Sequence, residues 1–150
     1  MRRKAEGMRR EAAAIFKSKL GWAGVAVSEK GITMIALPRQ SKHAVQRELD
    51  SATSPLTPAL SLGGRGNVKM LERAARLLGA YFSGKRVLFD LPLDMRYYTC
   101  FQQAVWKAAA EIPYGETRSY AWIARRIKNS GAARAVGQAM GANPVPIIIP

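Results

Sequence analysis

Residues 131–150, GAARAVGQAMGANPVPIIIP, join a small-residue helix bearing one arginine to an apolar run. Over residues 132–140 the helical period places Ala133, Val136, Gly137 and Met140 on one face and projects Arg134 and Gln138 from the other. Arg134 is the only charge on this segment. Alanine and glycine at most neighbouring positions leave no bulk to hold another surface away, so a backbone or a nucleic-acid groove can approach closely. On helix pattern alone, the segment also reads as a packed interior helix whose arginine reaches solvent. The run Val145-Pro146-Ile147-Ile148-Ile149 predicts a buried strand, because β-branched side chains suit a pleated surface and are unfavourable in water. Free termini are ordinarily polar and frayed, so this ending predicts a chain cut inside its core.

Working upstream, residues 119–127 predict a second short helix whose inward positions are Tyr120, Ile123, Ala124 and Ile127. Lys128-Asn129-Ser130-Gly131 separates it from the arginine helix, giving a helix-turn-helix outline. Such units usually present the second helix to the major groove of DNA. Before them, residues 101–111 predict a helix with the stripe Phe101, Val105, Ala108 and Ile112, and Pro113-Tyr114-Gly115 turns the chain. Trp106, beside that stripe, reads as packing rather than as a platform for stacking bases. Taken alone, Asn143 is an ordinary Asn-Pro turn former and Tyr120 a core residue.

Several blocks in fixed order change that weighting: Ile112-Pro113-Tyr114-Gly115-Glu116-Thr117, Ser119-Tyr120, Ala132-Ala133-Arg134-Ala135-Val136-Gly137, and Asn143-Pro144-Val145-Pro146 with its isoleucines and Pro150. Together they resemble the methylated-DNA–protein-cysteine methyltransferases, the O6-alkylguanine DNA alkyltransferases. The match is close over residues 101–150 and looser upstream. The resemblance implies an α+β protein: a small N-terminal sheet-plus-helix domain of the ribonuclease-H-like kind, then a C-terminal helical domain of the winged helix-turn-helix type. It also implies that the second helix enters the minor groove, where the small residues of 132–142 fit.

Roles implied by the resemblance follow by position. Arg134 matches the finger that enters the base stack, replaces the flipped guanine and bonds its orphaned partner; a charged planar fork suits that task. Tyr120 matches the tyrosine that rotates the neighbouring phosphate outward. Ala133 and Gly137 permit close approach to the groove, Met140 lines the alkyl pocket, and Asn143 matches the hinge bracing the turn into the acceptor. Intact members transfer the alkyl group from guanine O6 to a cysteine thiolate, helped by a neighbouring histidine held by a glutamate, and are consumed. In the family, Cys-His-Arg comes next after the block ending at Pro150. A catalytic residue is therefore not expected within residues 1–150, and the chain as given is expected not to accept an alkyl group. Cys100 matches the start of the helix before the Pro-Tyr-Gly-Glu block. It does not match the acceptor.

Cys100 and His43 are the sole cysteine and histidine, too few to build a zinc site, so no metal and no other cofactor is expected. Nor do they read as a catalytic pair, since a reactive thiol needs both a base and an orienting group. A single cysteine excludes an internal disulfide framework and fits a reducing, cytoplasmic setting. With 48% hydrophobic residues in 150, the chain is long enough for one good core or two small ones. A formal net charge of +14 points to a polyanionic partner, which neutralised phosphates favour through counterion release. The basic residues are spread along the chain and do not by themselves locate a site. No long apolar span supports a membrane partner, and no obligate protein partner is evident. The expected partner is double-stranded DNA carrying O6-alkylguanine.

Residues 1–18 read as a basic arm, because the apolar stretch of an export signal is interrupted by Lys17 and Lys19. Residues 19–92 read as the N-terminal α/β domain. Within it, residues 22–27 and 32–37 predict a hairpin around Ser28-Glu29-Lys30-Gly31, and residues 42–52 and 68–82 predict helices, the latter on Leu71, Ala74, Leu78 and Tyr81. Residues 51–67 break both periodicities with Pro and Gly and read as an irregular insertion, similar to translated repeat elements. Its Gly63-Gly64-Arg65-Gly66 lacks the flanks of a phosphate loop. Residues 93–150 are the C-terminal domain, with the junction near 92–99. Three functions compete: an interrupted copy of the repair methyltransferase, a non-catalytic alkyltransferase-like protein that binds lesions, and a general basic helix-turn-helix DNA binder.

Overall fold

The computed structural model describes residues 12–52 and 65–150. The chain divides into two compact units, Met1–Asp94 and Met95–Pro150, where the sequence placed the division between residues 92 and 93.

The first unit is a three-stranded antiparallel sheet in the order β1-β2-β3 with two helices: β1 (Ala12–Ser18), β2 (Gly21–Val27), β3 (Ile32–Arg39), α1 (Lys42–Ala52) and α2 (Arg65–Phe82). The hairpin of β2 and β3 and the helix α1 stand where the sequence pattern put them. β1 corrects the sequence reading, which places residues 12–18 in the basic arm. They pair with β2 in full register, from Ala12 opposite Val27 to Ser18 opposite Gly21. The apolar stretch ahead of Lys17 is too short for an export signal but long enough for a strand. The rest of the arm lies outside the described residues, as does residues 53–64 of the insertion; its two ends belong to α1 and α2.

The unit's core follows from strand alternation. Val45 and Leu49 of α1 pack on Ala26 and Ala36, with Ile15, Trp22 and Met34 at the margin. The helix lies close enough that a Cβ on Gly24 would meet Val45 Cγ1 at 2.8 Å and Leu49 Cδ1 at 2.9 Å, so β2 requires glycine there. α2 buries Leu71, Ala74, Leu78 and Phe82. Tyr81, expected on that stripe, is half-buried, its ring edge-on to Phe82 and tilted against Phe89. The segment after α2 adds one parallel bridge, Leu93 opposite Ile32, at the start of β3's outer edge. Ile32 N donates to Pro92 O at 2.8 Å, Asp94 N donates to Ile32 O at 2.9 Å, and the buried Ser28 hydroxyl bonds the buried Asp94 carboxylate at 2.6 Å.

The second unit holds α3 (Cys100–Ala110), α4 (Tyr120–Arg126) and α5 (Ala133–Gly141). Thr99 and Gln102 form a reciprocal capping box at the start of α3. Ser119 caps α4 by accepting from Trp122 N at 3.2 Å. α4 ends in a Schellman motif: Asn129 N donates to Ala124 O and Lys128 N to Arg125 O. The residue that this motif places in the left-handed region is Lys128, at φ 59°. A lysine Cβ is unfavourable there, whereas glycine is not. Lys128→Gly is therefore expected to raise unfolding stability by about 0.5–1 kcal/mol, read as a higher urea midpoint at unchanged slope; a lower midpoint would contradict it.

The isoleucine run corrects the sequence reading. Instead of a strand, residues 145–149 form a tight turn in which Ile149 N donates to Val145 O at 3.1 Å and Ile147 adopts φ 79°. Pro144 and Pro146 cannot donate to a ladder, and residues 95–150 contain no strand for the run to join. The apolar side chains are instead satisfied by folding inward, with Val145 and Ile149 buried.

Candidate nucleic-acid interface

α4 and α5 form the helix-turn-helix pair, and α3 supports them from behind. Val136 and Ala139 bury the inner face of α5. Trp106 of α3, 1% exposed, donates its indole N–H to the carbonyl of Ala139 at 2.9 Å, pinning the last turn of α5. Tyr98 meets the Trp106 ring edge-on at 4.8 Å between centroids. Trp106 is thus packing, as its place beside the core stripe suggests.

The outer face of α5 carries Arg134 and Gln138, both exposed. Arg134 sits in the first turn, behind an N-cap, Ala132, that makes no side-chain hydrogen bond. The backbone N–H groups of that turn therefore add positive potential beside the guanidinium. Ala133, Gly137 and Met140 are half-buried along one side of the same helix. Tyr120, the first residue of α4, was expected on the inward stripe, and the structure gives it both characters. It is 50% exposed, yet its ring edge lies against α5 at Gly137, where a Cβ would stand 3.1 Å from Tyr120 Cε2.

Asn143, just beyond α5, does more than turn the chain before proline. Its Oδ1 accepts from Val145 N at 3.0 Å and its Nδ2 donates to Ile149 O at 2.9 Å. One amide side chain thereby clasps both ends of the turn, and it holds the strained Ile147 conformation between them. The structure brings Tyr120 and Gly137 together directly, while Arg134 and Asn143 occupy the opposite ends of α5.

Other basic groups in this unit were not singled out by the sequence. Arg118 pairs with Glu116 and lies over the Trp122 ring at 5.7 Å, and Arg126 pairs with Glu111 at 2.8 Å. Arg125 and Lys128 are exposed at the end of α4. Their clustering was readable as Arg125-Arg126-Ile127-Lys128, but the charge was too evenly spread along the chain to mark it. Cys100 is exposed at the start of α3, and His43 is exposed on α1 of the first unit. Among the described residues, no group of three or more His, Cys, Asp or Glu could hold a metal, and no helix is long and apolar enough to cross a membrane.

A small strand-and-helix unit followed by three helices, the last presenting one arginine from a small-residue surface, defines an α+β protein with a nucleic-acid-binding type of second unit. Comparison with known proteins specifies it further. Residues 13–95 match the family described as 6-O-methylguanine DNA methyltransferase, ribonuclease-like domain, and residues 100–150 match 6-O-methylguanine DNA methyltransferase, DNA binding domain. The methylated-DNA–protein-cysteine methyltransferase of Mycobacterium tuberculosis H37Rv is 46% identical over 126 residues, covering 69% of this chain and 73% of that protein. That of Methanosarcina barkeri is 56% identical over 84 residues, covering 56% of this chain and 52% of that protein. Among solved structures, Mycobacterium tuberculosis OGT in complex with DNA superposes with a TM-score of 0.68 at 38% identity, covering 93% of this chain and 74% of that one. The chain belongs to the methylated-DNA–protein-cysteine methyltransferase family.

Proposed function

We propose that residues 1–150 form the lesion-recognising part of a DNA repair alkyltransferase, binding duplex DNA that carries O6-alkylguanine through the minor groove and turning the damaged base out of the stack. The observation that carries this reading is Arg134: one exposed guanidinium in the first turn of a helix whose neighbouring positions are alanine and glycine. Small neighbours let the helix approach the groove floor, and a planar fork of donors can replace an extruded guanine and bond its orphaned partner. Tyr120, half in solvent at the head of α4, is placed to press on the backbone of the displaced nucleotide. Met140 offers an apolar, polarisable wall to the alkyl group, and Asn143 braces the turn that follows. The overall charge of +14 supplies the sequence-independent affinity. Support for DNA as the partner comes also from the complex of the M. tuberculosis relative with DNA.

In this reading the alkyl acceptor is not among residues 1–150. Their one thiol, Cys100, stands at the first position of α3 behind the Thr99 cap, whereas the resemblance implies an acceptor that follows the block ending at Pro150. A polypeptide of these residues is expected to retain a duplex containing O6-methylguanine in preference to undamaged duplex, while its intact mass stays unchanged after incubation. Gain of one methyl group on the protein would overturn the statement about the acceptor. Equal retention of both duplexes would overturn lesion recognition.

A further inference from the structure

Gly137 shares α5 with Gly141, and the two glycines have opposite surroundings. A Cβ at Gly141 would meet nothing within 4 Å, whereas one at Gly137 would stand 3.1 Å from Tyr120 Cε2 and 3.2 Å from Cδ2. The space left by the missing side chain at 137 is therefore already filled, by a ring from α4. Glycine inside a helix is unfavourable by about 1 kcal/mol relative to alanine, so α5 carries this residue against its own propensity. A small residue kept only to admit a DNA groove would have open space in front of it. Gly137 does not.

We propose that Gly137 is a positioning residue: its missing side chain seats the Tyr120 ring on α5, and through that ring it sets the preference for damaged DNA. The inference rests on the lesion-binding reading given above and adds a role that Gly137 plays through the Tyr120 ring. The Ser119 cap fixes the backbone at the head of α4, bonding Trp122 N at 3.2 Å, and Tyr120 is the next residue. With only two side-chain torsions, a tyrosine held at its backbone and stopped by a helix surface has little freedom left. An alanine methyl at 137 pushes the ring off this seat by some tenths of an ångström or turns it, and recognition built on placed groups is sensitive at that scale.

The test is a double-mutant cycle on the full chain, measuring the ratio of affinities for an O6-methylguanine duplex and the same duplex undamaged. Gly137→Ala is expected to lower that ratio roughly fivefold, equivalent to about 1 kcal/mol. In a Tyr120→Ala background it is expected to have no further effect, and Gly141→Ala is expected to leave the ratio alone in either background. A fluorine label on the Tyr120 ring should report Gly137→Ala as a shifted resonance in the free protein, before any DNA is added. Equal loss with and without the Tyr120 ring, equal weakening of both duplexes, an unchanged ratio, or an unmoved fluorine signal overturns the seat while leaving lesion recognition standing. If Tyr120→Ala by itself leaves the ratio intact, the seat and Tyr120's part in recognition both fail.

Discussion

Arg134→Ala is expected to abolish the preference for O6-methylguanine DNA while leaving most sequence-independent affinity in place. The side chain is exposed at the first turn of α5, so the truncation removes no core contact and the protein should fold as before. A charge-assisted hydrogen bond to an orphaned base contributes about 1.5–3 kcal/mol, roughly ten- to a hundredfold in affinity, and undamaged DNA, where nothing is extruded, does not make it. Loss should therefore fall on the damaged duplex. A general helix-turn-helix binder predicts otherwise: if Arg134 meets only phosphate, the substitution weakens both duplexes alike and lowers the slope of log affinity against log salt by about one. Titrating both duplexes at several salt concentrations separates the two outcomes. Arg134→Lys sharpens the comparison, because it keeps the charge and loses the fork. It should keep binding to undamaged DNA, as Arg134→Ala does, without restoring discrimination.

Much of this interface was legible in the sequence because it is written in local patterns. A lone arginine among Ala133, Ala135, Val136 and Gly137 defines two faces of a helix with no knowledge of what packs behind. Residues 119–127 and 101–111 carried the helical period into α4 and α3, and residues 42–52 carried their own boundaries into α1. Where reading failed, the determinants were non-local or in competition. β1 is a strand because β2 offers it a partner along seven positions, and the charges on either side of it disguise that. The isoleucines argue for a strand by propensity, but Pro144 and Pro146 remove donors, and Asn143 supplies bonds that favour a turn. The seat of Tyr120 on Gly137, and the indole bond of Trp106 to Ala139, depend on how helices approach one another. No spacing along the chain encodes either.

Trp106→Ala is expected to have the largest effect on stability, about 3–5 kcal/mol, and to act on DNA binding only through the fold. The ring is 1% exposed and packs α3 against α5, with Tyr98 at its edge. Its deletion leaves a cavity at the centre of a unit that spans only residues 95–150. A core that small has little surplus to absorb such a loss. Trp106→Phe separates packing from the hydrogen bond. The Ala139 carbonyl retains Ala142 N as a donor at 3.2 Å, so losing the indole N–H does not leave it bare, and the expected loss is about 1 kcal/mol. Hydrogen exchange can read the two variants by region. In Trp106→Ala, amides of α3 and α5 should lose protection while those of β1, β2 and β3 keep it, since the sheet belongs to the other unit. In Trp106→Phe, discrimination between damaged and undamaged duplex should survive at temperatures where the unit is folded. If Trp106→Ala left α5 protected, the support of the arginine helix would have to come from elsewhere. If Trp106→Phe removed discrimination with the fold intact, the indole would have to act at the DNA itself, which its burial forbids in this structure.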